Sequence, residues 1–191
     1  MNVNTTFEKV KINSFDSIPV EQDSPIIYVL RPYNKLNLSI LARIQPNPIY
    51  LVVLFNAATT CNRSTEPTFM RWSWAEKADL SYIIIDDPIV SSSESTNIAW
   101  YIGLNEFDLQ GYICNLINNI LIKTNLNPCN VIFSGSSGGG FASLMASIRL
   151  KGSNAVVNNP QTDVLKYSRR LRAQFIDIFG EDETIIKKCY Y

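Results

Sequence analysis

The residues best suited to chemistry lie together in Val131-Ile132-Phe133-Ser134-Gly135-Ser136-Ser137-Gly138-Gly139-Gly140-Phe141-Ala142-Ser143-Leu144. Within this stretch, Gly135-Ser136-Ser137-Gly138-Gly139 has the spacing G-x-S-x-G, with an apolar strand-like run before it and a helical pattern after it. That context suits a chain that reverses sharply, so that Ser137 takes a strained backbone conformation and lifts its hydroxyl above a sheet. Gly135 and Gly139 would let strand and helix close up, and Ala142 and Ala146 would let the helix lie near the sheet. The backbone N–H of Gly138, at the helix start, would then point where an oxyanion forms. Two other uses of a glycine-rich loop fail on spacing. A phosphate-cradling loop needs a lysine that does not follow here, and Gly138, Gly140 and Ser143 break the dinucleotide pattern. A flexible glycine turn with no reactivity is the plain alternative.

The chain contains no histidine. His-ligated metals are excluded, and Ser137 lacks within this sequence the imidazole of a Ser-His-Asp mechanism. Losing the base costs such an enzyme roughly a million-fold in turnover and leaves about a thousand- to ten-thousand-fold over water. The 191 residues alone are therefore expected to be nearly inactive. Asp163, in Asn158-Asn159-Pro160-Gln161-Thr162-Asp163, could be the catalytic acid or could cap a following helix. Asp86 and Asp87 could line a cleft, or end a strand before Pro88. Arg71, Trp72 and Trp74 could stack on a sugar ring or simply pack.

These residues need elements to position them. Pro25–Leu30 and Leu36–Ile44 read as a hairpin turning through Pro32 and Asn34. Ile49–Phe55, Ser81–Ile85, Asn130–Ser134 and Ala155–Val157 read as strands buried on both faces. Phe107, Tyr112, Ile113, Leu116, Ile117, Ile120 and Leu121 recur at helix spacing with Asn105 as cap, and Phe141–Leu150 is a second helix. Val164, Leu171, Phe175 and Ile178 give the apolar face of a third, with Arg169, Arg170 and Arg172 on a solvated side. A hairpin followed by alternating strands and helices predicts an α/β domain whose mostly parallel sheet has about six strands, with helices on both faces. The chemistry of such sheets sits beyond the carboxyl ends of the strands.

Composition narrows the partners. Lys+Arg and Asp+Glu are 17 each, which argues against a nucleic-acid partner held by a broad basic face. No apolar run is long enough for a membrane span. Met1–Val10 has no secretory pattern. Cys61, Cys114, Cys129 and Cys189 show no C-x-x-C pair, so neither a metal site nor a disulfide framework is expected. They read as free thiols in a reducing cytoplasm. No cofactor is expected.

With these residues in order, the sequence resembles the α/β-hydrolase fold. The resemblance covers most of the chain and implies a hydroxyl nucleophile at Ser137. It also implies a second oxyanion donor from the loop Asn56-Ala57-Ala58, where Ala57 would offer its N–H. The plain alternative is a turn in which Asn56 bonds its own backbone. LVVLFNAATT, FMRWSW, IIIDDP, WYIG and VVNNPQTD are similar to esterase- or acyltransferase-like proteins of bacterial surface-polysaccharide biosynthesis. That similarity implies acyl-ester chemistry on a small molecule or a glycan. The alternative is an inactive, carbohydrate-associated binding protein on the same fold. The family carries two more strands and a late histidine. The expectation is therefore a single domain lacking its C-terminal part, over a whole protein that has lost its base. A Ser–Asp dyad of the patatin type would need an Asp-Gly motif that does not occur.

Overall fold

The computed structural model describes residues 6–34, 36–59, 66–170, 173, 174 and 176. Cys61, Leu171, Arg172, Phe175, Ile178 and Cys189, named above, lie outside them. The backbone is organised by branched apolar strands. These are β1 (Lys9–Lys11), β2 (Ile26–Tyr33), β3 (Leu36–Arg43), β4 (Leu51–Phe55) and β5 (Ser81–Ile85). A small hairpin of β6 (Gly103–Leu104) and β7 (Phe107–Asp108) stands apart, and β8 (Val131–Ser137) and β9 (Asn154–Pro160) complete the set. Among the described residues the main sheet has seven strands in the order β1-β2-β3-β5-β4-β8-β9. β2 and β3 are antiparallel, and β5, β4, β8 and β9 run parallel to one another. This is the α/β architecture expected, with one strand more. The three residues of β1 are too few to show a period.

Because side chains alternate along a strand, the sheet builds two cores. One face presents Val53, Phe55, Ile83 and Phe133 to helices α3 (Leu109–Thr124) and α4 (Gly138–Arg149). The other presents Ile27, Leu41, Leu54 and Ile84 to Phe69 and to Ala75 of helix α1 (Trp72–Lys77). Each fully buried side chain of this size contributes about 1.5–3 kcal/mol.

Several boundaries differ from the sequence reading for local reasons. β2 runs through Pro32 to Tyr33, because a register shift between Leu30 and Tyr33 removes the need for a proline N–H. Asn34 adopts a positive φ, 44°. Ile49 and Tyr50 are exposed, and β4 starts only at Leu51. The cap of α3 is Asp108, whose carboxylate accepts from the N–H of Gly111 at 3.0 Å, not Asn105. Phe107 belongs to the small hairpin. Helix α4 begins three residues before Phe141, at Gly138. Among the described residues, no helix is long and apolar enough to cross a membrane.

Candidate active site

Ser137 is the junction of β8 and α4, with φ 55° and ψ −120°. For a residue with a Cβ this is strained backbone, and such strain collects at functional positions. The glycines around it explain how the turn fits. A Cβ on Gly135 would lie 2.4 Å from the carbonyl of Gly139, and one on Gly139 would lie 2.6 Å from the carbonyl oxygens of Phe55 and Asn56. Strand, helix and the end of β4 are therefore in backbone contact.

Ser137 is half-buried. Its hydroxyl accepts a hydrogen bond from Nε2 of Gln161 at 3.0 Å. The amide of Gln161 is fixed the other way round by Trp100, whose indole N–H donates to Oε1. Gln161 also donates its backbone N–H to the carbonyl of Ser137 at 3.1 Å. A carboxamide that donates to Oγ cannot remove its proton. Trp100 and Gln161 are both nearly fully buried.

Trp100 and its neighbour Tyr101 both have positive φ, 54° and 59°, rare for aromatic residues. Tyr101 shows what holds them there. Its N–H donates to Oδ2 of Asp87 at 2.8 Å. Its hydroxyl donates to the carbonyl of Ile85 at 2.8 Å and accepts from the N–H of Asn56 at 2.8 Å. Spacing and type gave no sign of this buttress, since a left-handed aromatic pair has no local sequence pattern.

The loop after β4 comes to the elbow. Ala57 and Gly138 line one small cleft of about 10 Å³, about the space of a single water. Gly138 opens α4, where a helix leaves its first N–H groups without intrahelical acceptors. Asn56 does not bond its own backbone. Its Nδ2 donates to the carbonyls of Thr68 (2.6 Å) and Ile85 (3.3 Å), and its Oδ1 accepts from the N–H of Met70 (2.9 Å). The side chain ties the excursion that follows to the strand ends.

The aspartates divide. Asp87 caps α2 (Pro88–Ser91), accepting from the N–H of Ile89 at 3.1 Å as well as from Tyr101. Burial pushes its carboxyl up to about 6, against the pull of those backbone donors. Asp86 accepts from the N–H of Thr68 at 2.9 Å. Both are buried and engaged with backbone. Asp163 opens α5 (Val164–Tyr167): its Oδ1 accepts from the N–H of Lys166 at 3.3 Å and its Oδ2 pairs with Nζ of Lys166 at 3.0 Å. The cap is in place.

The aromatic excursion divides as well. Trp72 packs edge-on against Phe7 at 5.5 Å. Trp74 is exposed, with the Arg71 guanidinium 6.0 Å from its ring. Arg71 donates through Nη2 to the hydroxyl of Ser136 at 2.7 Å. Ser137 thus sits between two concavities without lining either. One is the cleft at Gly138, and the other is a cavity bordered by Arg71, Ser134 and Gly135.

No family model and no curated protein sequence matches this chain. Solved structures do. A chain of the glycosylation-associated protein complex Gap123 from Streptococcus agalactiae aligns with a TM-score of 0.62 at 17% identity, over 84% of this chain and 32% of that one. The capsule O-acetyltransferase of Neisseria meningitidis serogroup A aligns with a TM-score of 0.55 at 17% identity, over 83% of this chain and 61% of that one. An S-formylglutathione hydrolase from Agrobacterium tumefaciens aligns with a TM-score of 0.56 at 10% identity, over 88% and 71%. The fold is that of the α/β-hydrolases. The chain spans about a third of the Gap123 chain and about three fifths of the acetyltransferase.

Proposed function

We propose that the protein carries out serine-dependent acyl chemistry, ester hydrolysis or acyl transfer, on a small-molecule or glycan ester. The observation that carries this reading is the backbone of Ser137, held at φ 55° between glycines that are in contact with neighbouring backbone. In the proposed reaction the Ser137 hydroxyl gives its proton to a base and attacks the ester carbonyl, the N–H groups of Gly138 and Ala57 bind the oxyanion, and the ester C–O bond breaks so that the alcohol leaves with that proton and the acyl-enzyme remains. Water or a sugar hydroxyl then takes the acyl group. The base is an imidazole from outside these 191 residues, which we read as the front part of one longer domain. Asp163, which follows β9, is the carboxylate we assign to that imidazole; its side chain caps α5 and pairs with an exposed lysine, whereas Asp86 and Asp87 are buried and accept from backbone N–H groups of the loops they hold. The likeness to a capsule O-acetyltransferase and to the Gap123 complex supports a glycan as the acyl acceptor and a protein partner, and the free thiols of Cys114 and Cys129 suit a cytoplasmic setting.

Gln161 favours a second reading, an inactive carbohydrate-associated binding protein, because its amide occupies Ser137 Oγ. Added imidazole separates the two. On the enzyme reading, millimolar imidazole raises p-nitrophenyl acetate turnover by the wild type well above the same addition to Ser137→Ala. Equal rates in both, with glycan binding unchanged by the substitution, would establish the second reading. A CoA-bound variant structure of the Neisseria enzyme makes acetyl-CoA the donor to try first in transfer assays.

A further inference from the structure

The cavity beside the elbow has a volume of about 360 Å³, within the range of small-molecule sites. Val52, Leu54 and Val156 form an apolar wall, Trp74 lies at its side, and no aspartate or glutamate is among its lining residues. Two polar groups in it lack partners. Nη1 of Arg71 is buried with no acceptor, although Nη2 is held by Ser136. The hydroxyl of Tyr82, a fully buried residue, also has no partner.

An unpartnered buried donor is costly, the more so when it is charged. The ion pairs among the described residues are Arg43 with Asp79, Arg149 with Asp108, and Lys166 with Asp163. Arg71 has none of them. A guanidinium held at one end by Ser136, buried and unpaired at the other, and belonging to a residue that lines a cavity without carboxylates, suits an oxyanion that arrives from outside.

The wall has a direction. Tyr82 stands level with Val52, and Ser134 level with Leu54, so Tyr82 lies about 7 Å further down the sheet. Burial raises the affinity of Tyr82 for its proton and keeps the hydroxyl a donor.

We propose that this cavity binds a small organic anion, a carboxylate or phosphate, whose charged group pairs with Arg71 and whose apolar body lies along Val52, Leu54 and Val156. Ser136 accepts from Arg71 and fixes the other end of the guanidinium. Tyr82 closes the far end of the wall. As a binding site this stands apart from the acyl chemistry. As the specificity site that selects anionic substrates for Ser137, it rests on the function proposed above.

Calorimetric titration with 4-phenylbutyrate, its neutral amide and inorganic phosphate tests the site. The carboxylate is expected to bind at least tenfold more tightly than the amide, and phosphate to compete with it. Arg71→Gln should lose that tenfold preference and Arg71→Lys keep part of it. Val156→Glu, at a position 62% exposed, should repel the anion without disturbing the fold. Ser137→Ala should bind as the wild type does. Equal binding of acid and amide, retention of the preference in Arg71→Gln, or no binding of either organic probe overturns the proposal. If imidazole-assisted turnover at Ser137 is present but this preference is absent, the site fails and the function stands. The opposite result sinks the function and keeps the site.

Discussion

Ser137 and Asp87 occupy the same edge of one sheet, on strands β8 and just after β5, with β4 between them. By residue type the aspartate looks at least as reactive as the serine. Their surroundings differ in kind. Both oxygens of Asp87 are taken by backbone N–H groups, from Ile89 and Tyr101, that hold the loop in shape. Ser137 is strained in its backbone and meets a single side-chain amide. The difference teaches that reactivity is set by what a group is bonded to. A carboxylate whose acceptors are filled by backbone is scaffold, and a hydroxyl on strained backbone that meets one side-chain amide is the group whose reactivity the tests below address.

The largest test of that contrast is steric. Gly139→Ala places a methyl group against two carbonyl oxygens of the β4 end, and Gly135→Ala places one against Gly139. Each is expected to lose at least about 3 kcal/mol in urea unfolding, or not to fold. A change below about 1 kcal/mol would mean the elbow is loose and Ser137 is not held in strain.

The next test concerns Asp87. Its folded pKa of about 6 lies above the ordinary 3.8, so the native state keeps the proton longer than the unfolded chain. Stability from this group is therefore fullest below about pH 4 and declines as pH rises to about 6. The loss is about 3 kcal/mol. Asp87→Asn should remove that slope from urea midpoints taken between pH 4 and 7, while costing stability of its own through a lost backbone acceptor. Parallel slopes in both proteins would place Asp87 in a wetter setting and weaken its contrast with Ser137.

What the sequence made legible follows from local patterning. The strands and the elbow glycines carry their signal in period, in apolar runs and in the absence of a Cβ, which is why β5 emerges with the same ends in sequence and structure. The Trp100–Gln161–Ser137 chain depends on residues far apart in sequence meeting at one edge. The two left-handed aromatics are imposed by tertiary bonds to Asp87, Ile85 and Asn56, and no residue-type rule anticipates them. Asp163 was legible as either acid or cap, because an aspartate before a helix serves both readings equally until its partner is seen.

That chain gives a smaller test. Trp100→Phe removes the indole donor from Gln161, and Gln161→Ala removes the amide from Ser137. Each is expected to cost about 1–2 kcal/mol, the second additionally freeing Oγ for a base. Smallest of all, Arg149→Ala breaks a partly exposed ion pair with Asp108, and should move stability by no more than about 0.5 kcal/mol. If it moved as much as Trp100→Phe, the edge would hold no special share of the stability.

The most direct measurement is the site of covalent labelling by a fluorophosphonate in the presence of imidazole, read by peptide mass spectrometry across Ser134, Ser136, Ser137 and Ser143. The account predicts a single phosphonylated residue, Ser137, with labelling retained in Ser136→Ala and absent in Ser137→Ala. Label spread over several serines, or none at Ser137 while the protein remains folded, would contradict it.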